Sequence, residues 1–341
     1  MPKIKVGIIG CGSIAKHRHI PEYAMNKNVE IIAFCDIVHE RAQAFADEHN
    51  AMAYTDYKDL IQNADIEAVS VCAPNSFHAP ISIAALEAGK HVLCEKPMAT
   101  SREEAEAMIA VAKRNGKKLM IAHNQRFVSS HVKARNIIER GDLGKIYSFR
   151  TAFGHGGPEK WSADGENSWF FDKERAFIGA MGDLGVHKTD LLRYLIGEEF
   201  VEAAAFVETS AKQNSTVDDN AVCILKSESG IIGTLAASWA YNGGEDNSTV
   251  FYAENGMMRL EDDPDYSLII HYKNGSSERH SLGAIQSNDE GKQTNTHVIE
   301  HFIACILEDS EPLVNGEEGK KSLAVIFAAL ESNKKKQIVR I

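Results

Sequence analysis

The chain has 341 residues, 44% of them apolar and 25% charged, and a formal net charge of −11. That length is more than one hydrophobic core usually holds, so two domains are expected. The acidic balance argues against nucleic acid or anionic membrane as main partner, and no apolar run approaches a membrane span. Met1-Pro2-Lys3 leads directly into a first strand without a signal segment, and the six cysteines form no C-x-x-C pair. Buried, reduced thiols in a cytoplasmic protein are the expectation.

Ile4, Val6, Ile8 and Ile9 read as a buried parallel strand that breaks into a G-x-G-x-x-A turn, Gly10-Cys11-Gly12-Ser13-Ile14-Ala15. Gly10 permits the bend, Gly12 lets a diphosphate approach the backbone, and Ala15 lets the next helix pack closely. A second strand, 29–35, ends in Asp36, 21 residues past Ala15. That spacing suits a carboxylate accepting both ribose hydroxyls, which favours NAD over NADP. Arg41 could reach a 2′-phosphate, although a helix face is its simpler place.

Strands and helices then alternate to about residue 122: helix 40–49, strand 51–54, helix 57–62, strand 66–73, helix 78–88, strand 91–94, a helix from a Ser101–Glu104 capping box to 115, and strand 119–122. This rhythm implies a parallel, doubly wound Rossmann sheet over 1–122, with ligands at the carboxyl ends of its strands. Beyond helix 132–140 the strands follow one another: 146–153, 201–209, 221–226, 231–239, 249–253, 257–260 and 268–272. Helix 186–196 interrupts them, and helices 297–308 and 317–332 close the chain. An α+β domain with a large, mostly antiparallel sheet is expected over 123–341. Its open face would be covered by a second subunit, giving a homodimer or homotetramer.

Two stretches carry candidate chemistry. In Cys94-Glu95-Lys96-Pro97 a lysine follows the fifth strand, at the sheet edge where a nicotinamide would lie. Its ammonium suits an oxygen that gains charge as hydride leaves, with Glu95 restraining it; a solvated strand-end lysine is the plain alternative. In Asp183-Leu184-Gly185-Val186-His187-Lys188-Thr189-Asp190, Asp183 and His187 share a helix face. Asp183 is expected at the N-cap, His187 as general base, and Asp190 as the group fixing its tautomer. A capping acid beside a core histidine is the alternative, and without a third ligand no metal is expected.

Taken together, Gly10-x-Gly12-x-x-Ala15, Asp36, Pro74-Asn75-x-x-His78, Glu95-Lys96-Pro97 and Asp183-x-Gly185-x-His187-x-x-Asp190 resemble the Gfo/Idh/MocA oxidoreductases, in that family's order from residue 4 onward. The resemblance implies Lys96 as catalytic lysine, Asp183 as substrate-orienting acid and His187 as proton acceptor. It places Ala73, Pro74, Asn75, His78 and Glu95 along the cofactor, Arg126 at the domain junction in packing or substrate contact, and His155, Trp161 and Trp169 on the substrate side. Where the family has a glycine run ahead of the acid, this chain has Ile178-Gly179-Ala180-Met181-Gly182. The implied activity is NAD-dependent oxidation of a sugar, inositol or sugar derivative. A glycoside hydrolase using bound NAD for transient oxidation, or a non-catalytic sensor of cofactor or sugar, are the alternatives.

Overall fold

The computed structural model describes residues 3–62, 65–283, 285 and 296–341. Strand β1 (Ile4–Ile9) is wholly apolar on its inner positions and lies at the centre of a six-stranded parallel sheet. Around it are β2 (Val29–Cys35), β3 (Met52–Tyr54), β4 (Ala68–Val71), β5 (His91–Cys94) and β6 (Leu119–Ile121), in the order β3-β2-β1-β4-β5-β6. Order reverses beside β1, so a crevice opens at the carboxyl ends of β1 and β4. The crossover helices are α1 (Ile20–Met25), α2 (His39–His49), α3 (Tyr57–Ile61), α4 (Asn75–Glu87) and α5 (Arg102–Arg114).

The structure shifts some expected details. Helix α4 starts at Asn75 rather than 78, directly behind Pro74, whose fixed φ of −59° sets an extended entry. The capping box of α5 is offset: Ser101 Oγ accepts from the Glu104 N–H, but the Glu104 carboxylate takes the N–H and hydroxyl of Thr100, each at 2.8 Å. The stretch expected to begin the first α-helix is π-wound over Ala15–His19.

After α6 (Ser129–Glu139) a nine-stranded sheet forms from β7 (Ile146–Gly154), β8 (Phe200–Glu208), β9 (Asn220–Ser227), β10 (Ile232–Ser238), β11 (Thr249–Ala253), β12 (Gly256–Leu260), β13 (Leu268–Tyr272), β14 (Ser277–His280) and β15 (Val339–Arg340). Its order is β14-β13-β12-β11-β7-β10-β9-β8-β15, antiparallel except where β7 meets β10. One face is covered by α8 (Val186–Ile196) and α10 (Gly316–Lys335), which in the chain follow the short α7 (Lys173–Ala176) and α9 (Val298–Leu307) respectively. On β9, Ala221, Cys223 and Leu225 are buried while Val222 and Ile224 are exposed, the period-two signature of a sheet covered on one side.

Helix α9 returns to the first layer. Its Val298, Ile299, Phe302 and Ile303 pack into the cluster of Val6, Ile8 and Phe34, and Ile121 N–H donates to the Val314 carbonyl at 2.9 Å. All six cysteines are buried and unbonded to one another. Among the described residues no helix is long and apolar enough to cross a membrane.

Candidate active site

The glycine turn lies at the mouth of the crevice. Gly10 has φ +92°, and a Cβ there would sit 2.5 Å from the Cys72 carbonyl oxygen, so only glycine fits. A Cβ at Gly12 meets nothing within 4 Å, which leaves the open approach a diphosphate requires. Asp36 accepts from the N–H groups of Cys11 at 2.8 Å and Val38 at 2.9 Å, so its carboxylate is held at the groove wall. Gly10, Gly12, Ser13, Ile14, Asp36, Ala73 and Pro74 line this groove. Cys11 and Ala15 are buried behind it, and the Cys11 N–H is spent on Asp36 instead of facing a ligand. These features fit a dinucleotide, with Asp36 for ribose hydroxyls and the turn for phosphates.

Along the crevice the groove runs into a second cavity, which shares Ile14, Cys72 and Ala73 with it. Lys96, Asp183 and His187 all line it. Lys96 Nζ donates to Asp183 Oδ1 at 2.6 Å and to the Asp183 carbonyl at 3.1 Å, joining the two layers. Trp239 Nε1 donates to the other carboxylate oxygen at 3.2 Å, so Asp183 is fixed from both sides. Asp183 is not an N-cap. It lies in a π-wound turn, Met181–Gly185, that runs into α8. Such turns insert an extra residue and redirect side chains, and here one aims Asp183 at Lys96.

His187 is buried, and burial, followed by the charge of Lys96, pushes its pKa well below the ordinary imidazole value. The ring is therefore neutral and able to accept a proton. Asp190 does not orient it. Both Asp190 oxygens accept from Arg126, at 2.8 Å each, and Ser322 Oγ adds a third bond at 2.9 Å. Arg126 also donates to Glu318 at 2.8 Å, so its guanidinium is consumed by packing and does not reach the cavity.

Other expected residues divide similarly. His155, Trp161 and Trp169 line the cavity, as do Asn75 and His78. Asn75 Nδ2 donates to the Ala176 carbonyl at 2.9 Å. The His78 ring is clamped between the Pro97 and Ala73 carbonyls at 2.7 and 2.8 Å, so it shapes the wall rather than donating into it. Glu95 accepts a hydrogen bond from the Lys96 backbone N–H at 3.2 Å. Its main partners are His19 Nε2 at 2.9 Å and Arg18 at 3.3 Å, both from the π-wound turn after the glycines. Burial alone would raise the Glu95 pKa; His19 and Arg18 outweigh it and bring it down to about 2.

Sequence reasoning missed Arg18, His19, Trp239, Glu245 and Asn247, and gave no role of their own to Asn124 and Gln125, which match the family's segment with Arg126. Among the described residues, four buried polar atoms of residues that line the cavity have no hydrogen-bond partner: Asn124 Oδ1, Gln125 Oε1, Trp161 Nε1 and His187 Nδ1. Two acceptors, a donor and an imidazole nitrogen without partners, on residues that line one cavity, are polar groups that a ligand rich in hydroxyls would satisfy. Among the described residues no group of three or more His, Cys, Asp or Glu side chains is arranged to hold a metal.

A Rossmann crevice opening onto a lysine, an acid and a neutral histidine defines a nicotinamide-dependent oxidoreductase with two domains. Residues 4–123 match the model for the Gfo/Idh/MocA oxidoreductase family with its NAD-binding Rossmann fold, and residues 131–259 match the model of that family's C-terminal domain. The chain belongs to the Gfo/Idh/MocA family. It is 31% identical over 261 residues to inositol 2-dehydrogenase of Salmonella typhimurium, spanning 75% of this chain and 74% of that one. Levoglucosan dehydrogenase of Pseudarthrobacter phenanthrenivorans is 36% identical over 211 residues, 58% of this chain and about half (52%) of that relative. The solved structure of levoglucosan dehydrogenase in complex with NADH superposes with a TM-score of 0.86 at 27% identity, covering 99% of both chains.

Proposed function

We propose that the chain is an NAD-dependent dehydrogenase acting on a secondary alcohol of a sugar, an inositol or a sugar derivative. The observation that carries this reading is the convergence of Lys96, Asp183 and His187 on one cavity that continues the glycine groove and whose lining residues carry four unpartnered polar atoms. Relatives named as sugar and inositol dehydrogenases support it. Nothing in the site favours a hydrolase or a silent sensor.

When bound, NAD supplies the hydride acceptor. Asp183 uses two of the three Lys96 donors, which leaves one for the substrate oxygen. Lys96 thereby stabilises the charge that grows on this oxygen, inside a cavity where water screens it little. As the carbinol C–H departs as hydride, the O–H proton passes to the neutral His187 and the C–O bond becomes a carbonyl. Asn124, Gln125 and Trp161 hold the neighbouring hydroxyls.

Lys96→Ala and His187→Ala should each lower turnover by roughly 10²-fold or more, the usual size of acid–base contributions, with NADH affinity kept within about threefold. Wild-type turnover in both variants, in a screen of polyols and aldoses read at the absorbance of reduced nicotinamide, would remove the assignment. The exposed face bearing Phe206, Val222, Ile224 and Ile232 is apolar enough to bury a second copy, and we assign it to a homodimer or homotetramer interface. The six free, buried thiols fit a cytoplasmic location.

A further inference from the structure

The ribose end of the groove holds an ion pair that this mechanism leaves without a role. Arg41, on the first turn of α2, lines the groove with Asp36, and its guanidinium is bonded to Asp164. Asp164 belongs to the other layer. It opens the short turn Gly165–Asn167 within the long connection between β7 and α7. That connection also carries Trp161, Trp169 and Phe170, which line both the groove and the inner cavity. A second tie, Ser13 Oγ donating to the Trp161 carbonyl at 2.7 Å, holds the same connection against the glycine turn. Both side chains of the Arg41–Asp164 pair are about one-third exposed, at 32% and 31%, so a ligand in the groove can reach them.

A 2′-phosphate would bring about two negative charges to the wall that carries Asp36. It needs a cation, and a guanidinium fork is the side chain best matched to phosphate. Arg41 stands in place for this, yet a carboxylate from the opposite layer already occupies it. We infer that Asp164 is a cofactor-specificity residue: it holds the Arg41 guanidinium that a 2′-phosphate would otherwise recruit, so that NAD is selected by two carboxylates, Asp36 and Asp164. NADP must then overcome Asp36 and also break the contact that fastens the aromatic connection over the groove. NAD keeps both. This inference rests on the dinucleotide reading of the groove, and it implies that removing Asp36 alone opens the site to NADP only in part.

The test is direct titration of NADH and NADPH by nicotinamide fluorescence, with no sugar present, so that it stands apart from turnover. Asp36→Ser should admit NADPH weakly. Adding Asp164→Asn should tighten NADPH a further tenfold or so, about one charge-assisted hydrogen bond, while NADH shifts less than about threefold. Adding Arg41→Ala to that double variant should abolish the gain. Asp56→Asn, which removes a negative charge from the same groove wall, should give under about threefold when combined with Asp36→Ser. Equal NADPH affinity with and without Asp164→Asn, a gain that survives Arg41→Ala, or an equal gain from Asp56→Asn would each overturn the inference. A wild-type chain that binds neither nucleotide would overturn the reading of the groove, and this inference with it.

Discussion

Arg126 separates a packing role from a substrate role, and the structure makes the two outcomes differ in kind. Its side chain is 4% exposed and is bonded twice to Asp190, itself 1% exposed, and once to Glu318. Arg126→Met keeps most of the apolar stem and strands a buried carboxylate. Breaking a buried pair by removing one partner costs about 3–5 kcal/mol. The lower end applies here, because Asp190 retains Ser322 at 2.9 Å and Arg193 at 3.9 Å. For 341 residues, at about 2.1 cal/mol/K each, the unfolding entropy is about 0.7 kcal/mol/K, so a loss of about 3 kcal/mol lowers the melting midpoint by about 4 °C.

Thermal and urea unfolding followed by circular dichroism, beside steady-state kinetics at 25 °C, measure both sides. The expected result is a lower midpoint with kcat/KM within about threefold. The Asp190 carboxyl sits below its ordinary pKa, since His123, Arg126 and Arg193 together outweigh the upward push of burial. A depressed carboxylate contributes stability that is present above its unfolded pKa and lost as pH falls through the folded one. The stability gap between wild type and variant should therefore narrow in acid. An unchanged midpoint with KM raised tenfold or more would refute the packing role and return Arg126 to the substrate.

Gly12→Val should melt like the wild type, because its side chain enters open space, but bind NADH at least tenfold more weakly; Gly10→Ala should lose stability itself, and matching behaviour of the two variants would contradict the groove geometry. Glu95, with its pKa near 2 in the fold against about 4.3 unfolded, contributes about 3 kcal/mol that is lost as pH falls from about 4.5 toward 2; urea titrations from pH 7 to 3 should show this acid limb flattened in Glu95→Gln. His187 is already neutral well below its usual range, so kcat/KM should show no inflection near pH 6.5 that vanishes in His187→Gln. Phe206→Asp on the open sheet face should lower the mass found by light scattering, while the wild type elutes as more than one copy.

The nucleotide layer was legible because each of its strands is a short apolar run closed by a turn residue, and Gly10, Gly12 and Asp36 occur at fixed spacings in one local stretch. The successive strands of the second sheet were legible for a related reason, since β9 alternates residue by residue. Strand β14, Ser-Glu-Arg-His, has no apolar face to announce it, and β15 is only two residues long. Both π-wound turns escaped notice, because reading at 3.6 residues per turn puts Asp183 on a cap and hides Arg18 and His19. The partner of Asp190 was invisible for another reason. An acid three residues after a histidine has a local candidate, and only the fold reveals Arg126, 64 residues earlier, as the stronger one.

The Lys96–Asp183 pair is at once a contact between layers and the centre of the chemistry, so its loss must be told apart from a general loosening. Other ties keep the layers in register. Helix α9 packs its apolar stripe on the nucleotide sheet, Ile121 bonds Val314, Asn75 bonds Ala176, and Arg126 joins the end of β6 to α8 and α10. None of these contacts passes through Lys96. Removing Lys96 therefore leaves the spacing of the two walls in place and takes away the donor facing the substrate oxygen. A fall in turnover of roughly 10²-fold or more, with a midpoint lowered only by the few degrees that stranding the buried Asp183 carboxylate costs, about as for Arg126→Met, follows from that arrangement, whereas a much larger fall in the midpoint would mean that the lysine had been holding the cavity open rather than acting inside it.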